Sequence, residues 1–434
     1  MYIKEIEIRN IRSISDLKMT FTEPDEVGSE AGWHVLIGDN GSGKSSIVRS
    51  IALGFIGPVD VQALRLPLIT WIRKDQEEAN IKITIHRDKI FDSPQRKRTY
   101  KKPFDVTVLL SKEKSAGFEI GRVELSKKKG DADPFKNIWS GDQGWFSASF
   151  GPFRRFTGGD KEWSKVYRSN PRAATHLSVF GEDVALTESL EWLYHKKFQS
   201  FESNTSAIDT LDSLTRFVNE GGLLPHNAKL TNITSEGVFF KDGNGCAIDV
   251  TQLSDGFRSL LSMIFELIRQ MIKAYGEQEV FRNVSNGKMS IDVPGVVLID
   301  EVDAHLHPTW QTRIGQWFAK YFPNIQFIVT THSPLVCRAC KREKRSIWRL
   351  AAPGSNDKSG EITGIDKDRL IFGNVLDAYG TEMFGKSVTI SEDANDKRNR
   401  LAELNIKSMM GEITKKEGNE LAELKAIFRT EKLI

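Results

Sequence analysis

Gly38-Asp39-Asn40-Gly41-Ser42-Gly43-Lys44-Ser45 matches the pattern G-x-x-x-x-G-K-[ST] at every fixed position. The chemistry such a run offers is phosphate binding. Its glycines let successive backbone N–H groups turn inward around phosphate oxygens, and a helix starting at the lysine adds partial positive charge. Lys44 would neutralise the β- and γ-phosphates of ATP, and the Ser45 hydroxyl would ligate Mg²⁺. Asn40, Gly41, Ser42, Gly43 and Ser46 complete the expected cradle.

Val296-Val297-Leu298-Ile299-Asp300-Glu301 is an apolar run closed by two acids. Alone, such a pair is often a surface turn. Beside a phosphate loop, Asp300 would hold Mg²⁺ through water and Glu301 would polarise the water attacking the γ-phosphate, because in-line attack needs a base there. Thr330-Thr331-His332-Ser333-Pro334 closes the apolar run Ile325 to Val329. If the two runs are neighbours in a parallel sheet, His332 lies beside the acids and can reach the γ-phosphate or the water. Otherwise it caps a strand end. Gln252-Leu253-Ser254-Asp255-Gly256-Phe257-Arg258-Ser259 precedes a long amphipathic pattern. There Ser254 reads as an N-cap, and Gly256 would let a phosphate approach the helix start.

Two other groupings invite a metal reading and lack the company it needs. His305-Leu306-His307 has a ligand spacing but no further His, Cys or Glu cluster, which leaves an interface or capping role. Cys337-Arg338-Ala339-Cys340 is a lone C-x-x-C, read as coincidence.

These residues need elements to position them. Ile3, Ile6, Ile8 and Ile11 alternate with polar residues and predict a half-buried strand. Strands are also expected near Leu17 to Phe21, at Trp33 to Ile37 and at Ile81 to Ile85, with a helix from Lys44 to about Leu53. Strand, glycine loop and helix in that order is the context that gives the phosphate loop meaning. Helices are expected at about 184–200, 205–219 and 255–274, and another from Pro308, a good first helical residue. Gly237 to Phe240 and Cys246 to Val250 flank a turn and predict a hairpin. Gly295 to Ile299 and Ile325 to Val329 read as parallel strands buried on both faces. Residues 91–224 read as an insertion. Its basic part includes Arg96-Lys97-Arg98 and Lys127-Lys128-Lys129, and its aromatic part includes Trp145-Phe146 and Phe150 to Arg155. Between 87 and 130 there are thirteen Lys and Arg against six Asp and Glu, either a solvated face or a track for a DNA or RNA backbone. The last forty residues read as an exposed helical pair preceded by a polar loop carrying Glu392, Asp393 and Asp396.

Composition narrows the classes. The 434 residues are 39% hydrophobic and 27% charged, enough for a sizeable core, and the net charge of +3 argues neither for nor against nucleic acid. No apolar run is long enough to span a membrane, and Met1 to Glu5 has no apolar signal region. Three cysteines cannot build a disulfide scaffold, and the expected compartment is the reducing cytoplasm.

Gly38 to Ser45, Leu253 to Gly256, Asp300-Glu301, Asp303 and His332, in that order, resemble the ABC-type ATPase heads of the SMC and RecF group. Ile6-Glu7-Ile8-Arg9-Asn10-Ile11-Arg12-Ser13 is similar to their first strand. The Leu-Ser-Asp-Gly-Phe-Arg-Ser form and the run Asp303 to Pro308 resemble the OLD-like branch, which includes the antiviral defence ATPases of Septu and retron systems. The resemblance covers about 1–60 and 225–345.

It implies an α/β fold: a P-loop ATPase head with a β-rich N-terminal part, a large insertion and a C-terminal helical segment. The expected divisions are 1–90 and 225–375 for the head halves, 91–224 for the insertion and 376–434 for the helices. It also implies a homodimer or higher oligomer closed head to tail around ATP. Ser254 and Gly256 would contact the γ-phosphate held by the partner, Asp303 would sit at the seam, and His332 would act as the switch histidine. Gln76 is the nearest candidate for the family's γ-phosphate-sensing glutamine. In function the resemblance implies an ATPase controlling a separate nuclease, of HNH type in Septu-like systems, or acting beside a retron reverse transcriptase and its DNA. The aromatic insertion and the C-terminal segment would then be docking surfaces. A RecF-like repair ATPase binding DNA is the alternative.

Overall fold

Along Tyr2–Ile11 (β1), Ile3, Ile6, Ile8 and Ile11 are buried while Lys4, Glu5, Glu7 and Arg9 are not, and a register shift between Ile3 and Glu5 interrupts the strict alternation. Ile14–Thr20 (β2) pairs with it antiparallel on one side and Glu78–His86 (β4) on the other. Phe104–Ser115 (β5) and Phe118–Ser126 (β6) extend the sheet to five strands in the order β2-β1-β4-β5-β6. The computed structural model describes the chain apart from residues 22–30, 93–102, 116–117, 127–131, 141–143, 157–162, 164–165, 167–168, 182–185, 225, 342–344, 356, 374–391 and 428–434.

The apolar face of this sheet packs on the helix Lys44–Ile56 (α1). Contact is close: a Cβ on Gly54 would lie 2.4 Å from Ile83 Cδ1. The polar face carries ion pairs, among them Lys18–Glu5 at 2.9 Å and Lys82–Asp105 at 3.2 Å. Exposed pairs of this kind contribute less than about 1 kcal/mol each. Within the basic stretch, Lys112 pairs with Glu77, and Arg122 with Glu113 and Glu124. The clusters at 96–98, 101–102 and 127–129 lie outside the described residues.

A second sheet has the order β14-β13-β3-β12-β11-β7. Its strands are Ser147–Phe150 (β7), Gly295–Ile299 (β11), Ile325–Thr330 (β12), Trp33–Ile37 (β3), Ile347–Arg349 (β13) and Gly360–Glu361 (β14). All neighbours are parallel except β13 and β14. Strands β3, β11 and β12 are buried along their whole length, as continuous apolar runs predict. Ile299 aligns with Val329 and with Phe150, and Thr330 with Leu36, so four strands end at one edge. In parallel sheets that carboxyl edge is where ligands bind.

Residues 91–224 do not form the separate insertion expected. β5 and β6 complete the antiparallel sheet, and β7 is a strand of the parallel one. The aromatic stretch is core rather than docking surface: Trp139, Trp145, Phe146, Phe150 and Phe156 are buried, and Trp139 Nε1 donates to the Gly54 carbonyl at 3.2 Å. A four-residue strand amid turns has too little length to show its period. The remaining helices of this region are Pro171–His176 (α2), Thr187–Phe201 (α3) and Thr205–Glu220 (α4).

Lys229–Ile233 (β8), Val238–Lys241 (β9) and Ala247–Asp249 (β10) form a small antiparallel sheet whose last strand leads into the helix Asp255–Tyr275 (α5). Pro308–Tyr321 (α6) connects β11 to β12.

The chain divides into two compact units, Met1–Phe372 and Gly373–Ile434. In the second, helices Glu392–Met410 and Lys415–Ile427 share a small core of Leu404, Leu421 and Leu424. Glu392, Asp393 and Asp396 therefore begin a helix instead of lying in a loop, because the run that follows them is rich in good helix formers. Among the described residues no helix is long and apolar enough to cross a membrane.

Candidate nucleotide site

The loop Gly38–Gly43 leaves β3 at the carboxyl edge and enters α1. Gly43, just before the helix, has φ 99°, a left-handed conformation that a residue with a Cβ rarely adopts. Gly38 is needed for a different reason: a Cβ there would lie 2.8 Å from Ser42 Oγ and 3.0 Å from the Leu350 carbonyl. Lys44 is buried, and its Nζ donates to the carbonyls of Gly38 at 2.7 Å and Asp39 at 3.0 Å. Burial lowers its pKa, opposed by the carboxylates of Asp300, Glu301, Asp39 and Asp303. Those four acids therefore share the electrostatic neighbourhood of the lysine. Ser42 and Ser46 are buried, Ser45 is half-buried, and Asn40 and Gly41 are exposed.

The end of β12 organises the end of β11. Thr330 Oγ1 donates to Asp300 Oδ1 at 2.6 Å and accepts from the Glu301 N–H at 2.7 Å. Thr331 Oγ1 donates to Asp303 Oδ1 at 2.6 Å and accepts from the Ser333 N–H at 2.9 Å. Asp300 is buried, and Glu301 is half-buried with φ 48°. His332 follows, exposed, two residues beyond the end of β12, the strand that pairs with β11. The parallel pairing on which its role depended is present.

One residue of this cluster was not singled out in the sequence. Arg154, just beyond β7, is 4% exposed. Its Nη1 donates to the carbonyls of Gly151 and Asp300, and its Nη2 to that of Glu301, all at 3.0 Å. Its Nε donates to Ser259 Oγ on α5 at 3.1 Å. Burial lowers its pKa to about 10, opposed by Asp303, Asp300 and Glu301. The one local signal was an arginine after a short apolar run and a Gly-Pro turn.

Ser254 stands at the N-cap position of α5 but makes no side-chain capping bond, so its exposed hydroxyl is not used as the cap expected. Gly256 is fixed by packing: a Cβ would lie 2.6 Å from the His305 carbonyl. His307 caps α6, its Nδ1 accepting from the Thr309 N–H at 3.3 Å. Cys337 and Cys340 are buried, and burial raises both thiols, Cys340 to about 12. Gln76 is exposed in the turn just before β4 of the antiparallel sheet.

These groups fit a nucleoside triphosphate with Mg²⁺. Ser42 Oγ is buried without a hydrogen-bond partner among the described residues, and Lys44 is held on loop carbonyls beside four acids. A triphosphate would supply an acceptor to the first and charge to the second.

Comparison with known proteins agrees with this geometry. A Septu protein PtuA of Bacillus mycoides (strain KBAB4) is 28% identical over 354 residues, which are 78% of this chain and 39% of that protein. A Septu protein PtuA of Bacillus thuringiensis is 24% identical over 345 residues, 78% of this chain and 74% of that protein. The "Retron Ec83 probable ATPase" of Escherichia coli is 40% identical over 109 residues, 25% of this chain and 18% of that protein. The chain thus spans well under half of the Bacillus mycoides and Escherichia coli relatives. The family described as "AAA domain, putative AbiEii toxin, Type IV TA system" matches residues 34–338. That match runs from β3 through the turn after β12, across every strand end that builds the nucleotide edge, and the chain belongs to this family of P-loop ATPases.

Proposed function

We propose that this protein binds and hydrolyses ATP, closes as a head-to-tail homodimer around it, and uses that closure to control a separate nuclease in antiviral defence. The observation that carries the hydrolytic part is the Thr330 bridge. One hydroxyl orients the Asp300 carboxylate and the Glu301 backbone together, within electrostatic reach of Lys44.

In this reading Lys44 releases the loop carbonyls to bind the β- and γ-phosphates, and Glu301 accepts a proton from the attacking water. Bound Mg²⁺ would draw charge from the phosphate oxygens, with Ser45 and Asp300 as the residues to hold it. His332 donates to the γ-phosphate or orients the water. Ser254 is suited to a partner's nucleotide because its hydroxyl is exposed and uncommitted to its own helix. Asp303, held by Thr331, lies on the same edge. The defence assignment rests on the Septu and retron names of the relatives, which favour it over DNA repair.

Glu301→Gln tests the core of the reading. The amide keeps shape and a hydrogen bond but cannot act as a base, so single-turnover hydrolysis should fall about 10²–10⁴-fold while ATP stays bound. Turnover equal to wild type would remove Glu301 from the chemistry.

A further inference from the structure

Glu301 is held on both sides by residues outside its own strand. Its N–H donates to Thr330 Oγ1, and its carbonyl and that of Asp300 accept from Arg154. Between these anchors it sits at φ 48°, a region costly for a residue with a Cβ and kept only where the surroundings enforce it. The same guanidinium reaches Gly151 beside β7 and Ser259, one turn into α5. Ser259 is itself buried. A second close approach runs in parallel, since a Cβ on Gly256 of α5 would lie 2.6 Å from the His305 carbonyl of the loop that follows Glu301.

A buried cation needs compensation to be tolerated, and here hydrogen bonds and three carboxylates supply it. An apolar side chain would fill the space without that demand. What an apolar residue would not do is join three segments through their polar groups.

From this geometry we infer that Arg154 is a positioning residue for hydrolysis: it holds Glu301 in its working backbone conformation and ties it to α5. The helix that begins with Ser254 is thereby coupled to the carboxylate loop of the same chain. A displacement of α5 at its start shifts Ser259, then the guanidinium, then the Glu301 peptide. This rests on the assignment of Glu301 as the hydrolytic carboxylate, and the controls separate the two claims.

The experiment uses the full chain with Arg154→Met, Arg154→Lys, Ser259→Ala and Glu301→Gln. Arg154→Met should lower kcat about 100-fold, the effect of misplacing a catalytic group by about 1 Å. Its Kd for ATP should stay within about threefold of wild type, because Arg154 bonds to backbone and Ser259 and not to the phosphate loop. Arg154→Lys keeps the charge but not the fork, and should recover only part of the rate. Arg154→Met should add no further loss in the Glu301→Gln background, as expected of residues that act as a unit. Wild-type kcat in Arg154→Met, with Glu301→Gln inactive, overturns the inference and leaves the hydrolytic assignment standing. A Kd that weakens as much as kcat falls also overturns it, since Arg154 would then be a binding or folding residue. Full turnover in Glu301→Gln overturns both. If Arg154→Met does not fold, Ser259→Ala decides: a lowered kcat at unchanged Kd supports the coupling, and an unchanged kcat overturns it.

Discussion

At the scale of single residues, the lysine of the phosphate loop shows how a site can be prepared before its ligand arrives. Lys44 is buried and loses hydration, yet its ammonium keeps two carbonyl acceptors and the field of four acids. Exchanging those carbonyls for phosphate oxygens replaces neutral acceptors by charged ones, which are the stronger hydrogen-bond partners. A bond to a charged group contributes about 1.5–3 kcal/mol. Lys44→Ala should therefore weaken ATP affinity by at least about tenfold, measured by equilibrium binding of labelled nucleotide. Unchanged affinity would contradict the assignment of the loop. Thr330 is the quieter partner at this scale, because its hydroxyl serves both Asp300 and Glu301.

At the scale of elements, α5 matters most. Its start presents Ser254, Gly256 packs it against the loop after β11, and Ser259 meets Arg154. Ser254→Arg should leave ATP binding to one protomer intact while blocking closure, since a bulky cation would occupy the helix start. Scattering with and without ATP in the Glu301→Gln background reads this. Tightening that persists in the double variant would argue against a shared site.

A different element-scale consequence comes from two histidines at the parallel sheet. His34 on β3 meets Ser346 Oγ at 2.7 Å, and His176 on α2 bridges Ser147 and Ser149 of β7. Burial lowers each to about 3, assisted by Arg345 and Lys367 for His34 and by Arg172 for His176. Folding therefore favours the neutral rings. Their contribution is complete above about pH 6.5 and is lost as pH falls from there toward 3. Acidification from pH 7.5 to 5.5 should cost about 1 kcal/mol for each histidine. The midpoint of urea unfolding should fall accordingly, and by less in His176→Gln. An equal fall in that variant would show that His176 carries none of the effect.

For the whole molecule, the proposed division of labour makes a claim about what this chain does not do. Asp300 and Glu301 are committed beside Lys44, and His307 to capping α6. A nuclease needs a metal cluster or an activated nucleophile at the scissile phosphate. Purified alone with Mg²⁺ or Mn²⁺, the chain should leave plasmid, linear duplex, single-stranded DNA and tRNA uncut. Cleavage that disappears on changing Glu392 or Asp393 would make it a nuclease in its own right.

The phosphate loop was legible because its chemistry is local: eight consecutive residues set backbone conformation, charge and helix start together. Strands β3, β11 and β12, the hairpin from Val238 to Asp249 and helix α5 were legible because burial writes a period or a continuous apolar run into the chain. Strand β7 was not, since four residues carry no period and its partner β11 is far off in sequence. The role of Arg154 follows from that pairing: it meets the Asp300 carbonyl across 146 residues. Nor could the packing around Gly256 be read from spacing, because the His305 carbonyl that a Cβ there would meet arrives only when the loop after β11 folds against α5. Local conformational preference sets elements and turns. Which polar groups share one guanidinium is decided by how parallel strands align at a common edge, and that alignment exists only in three dimensions.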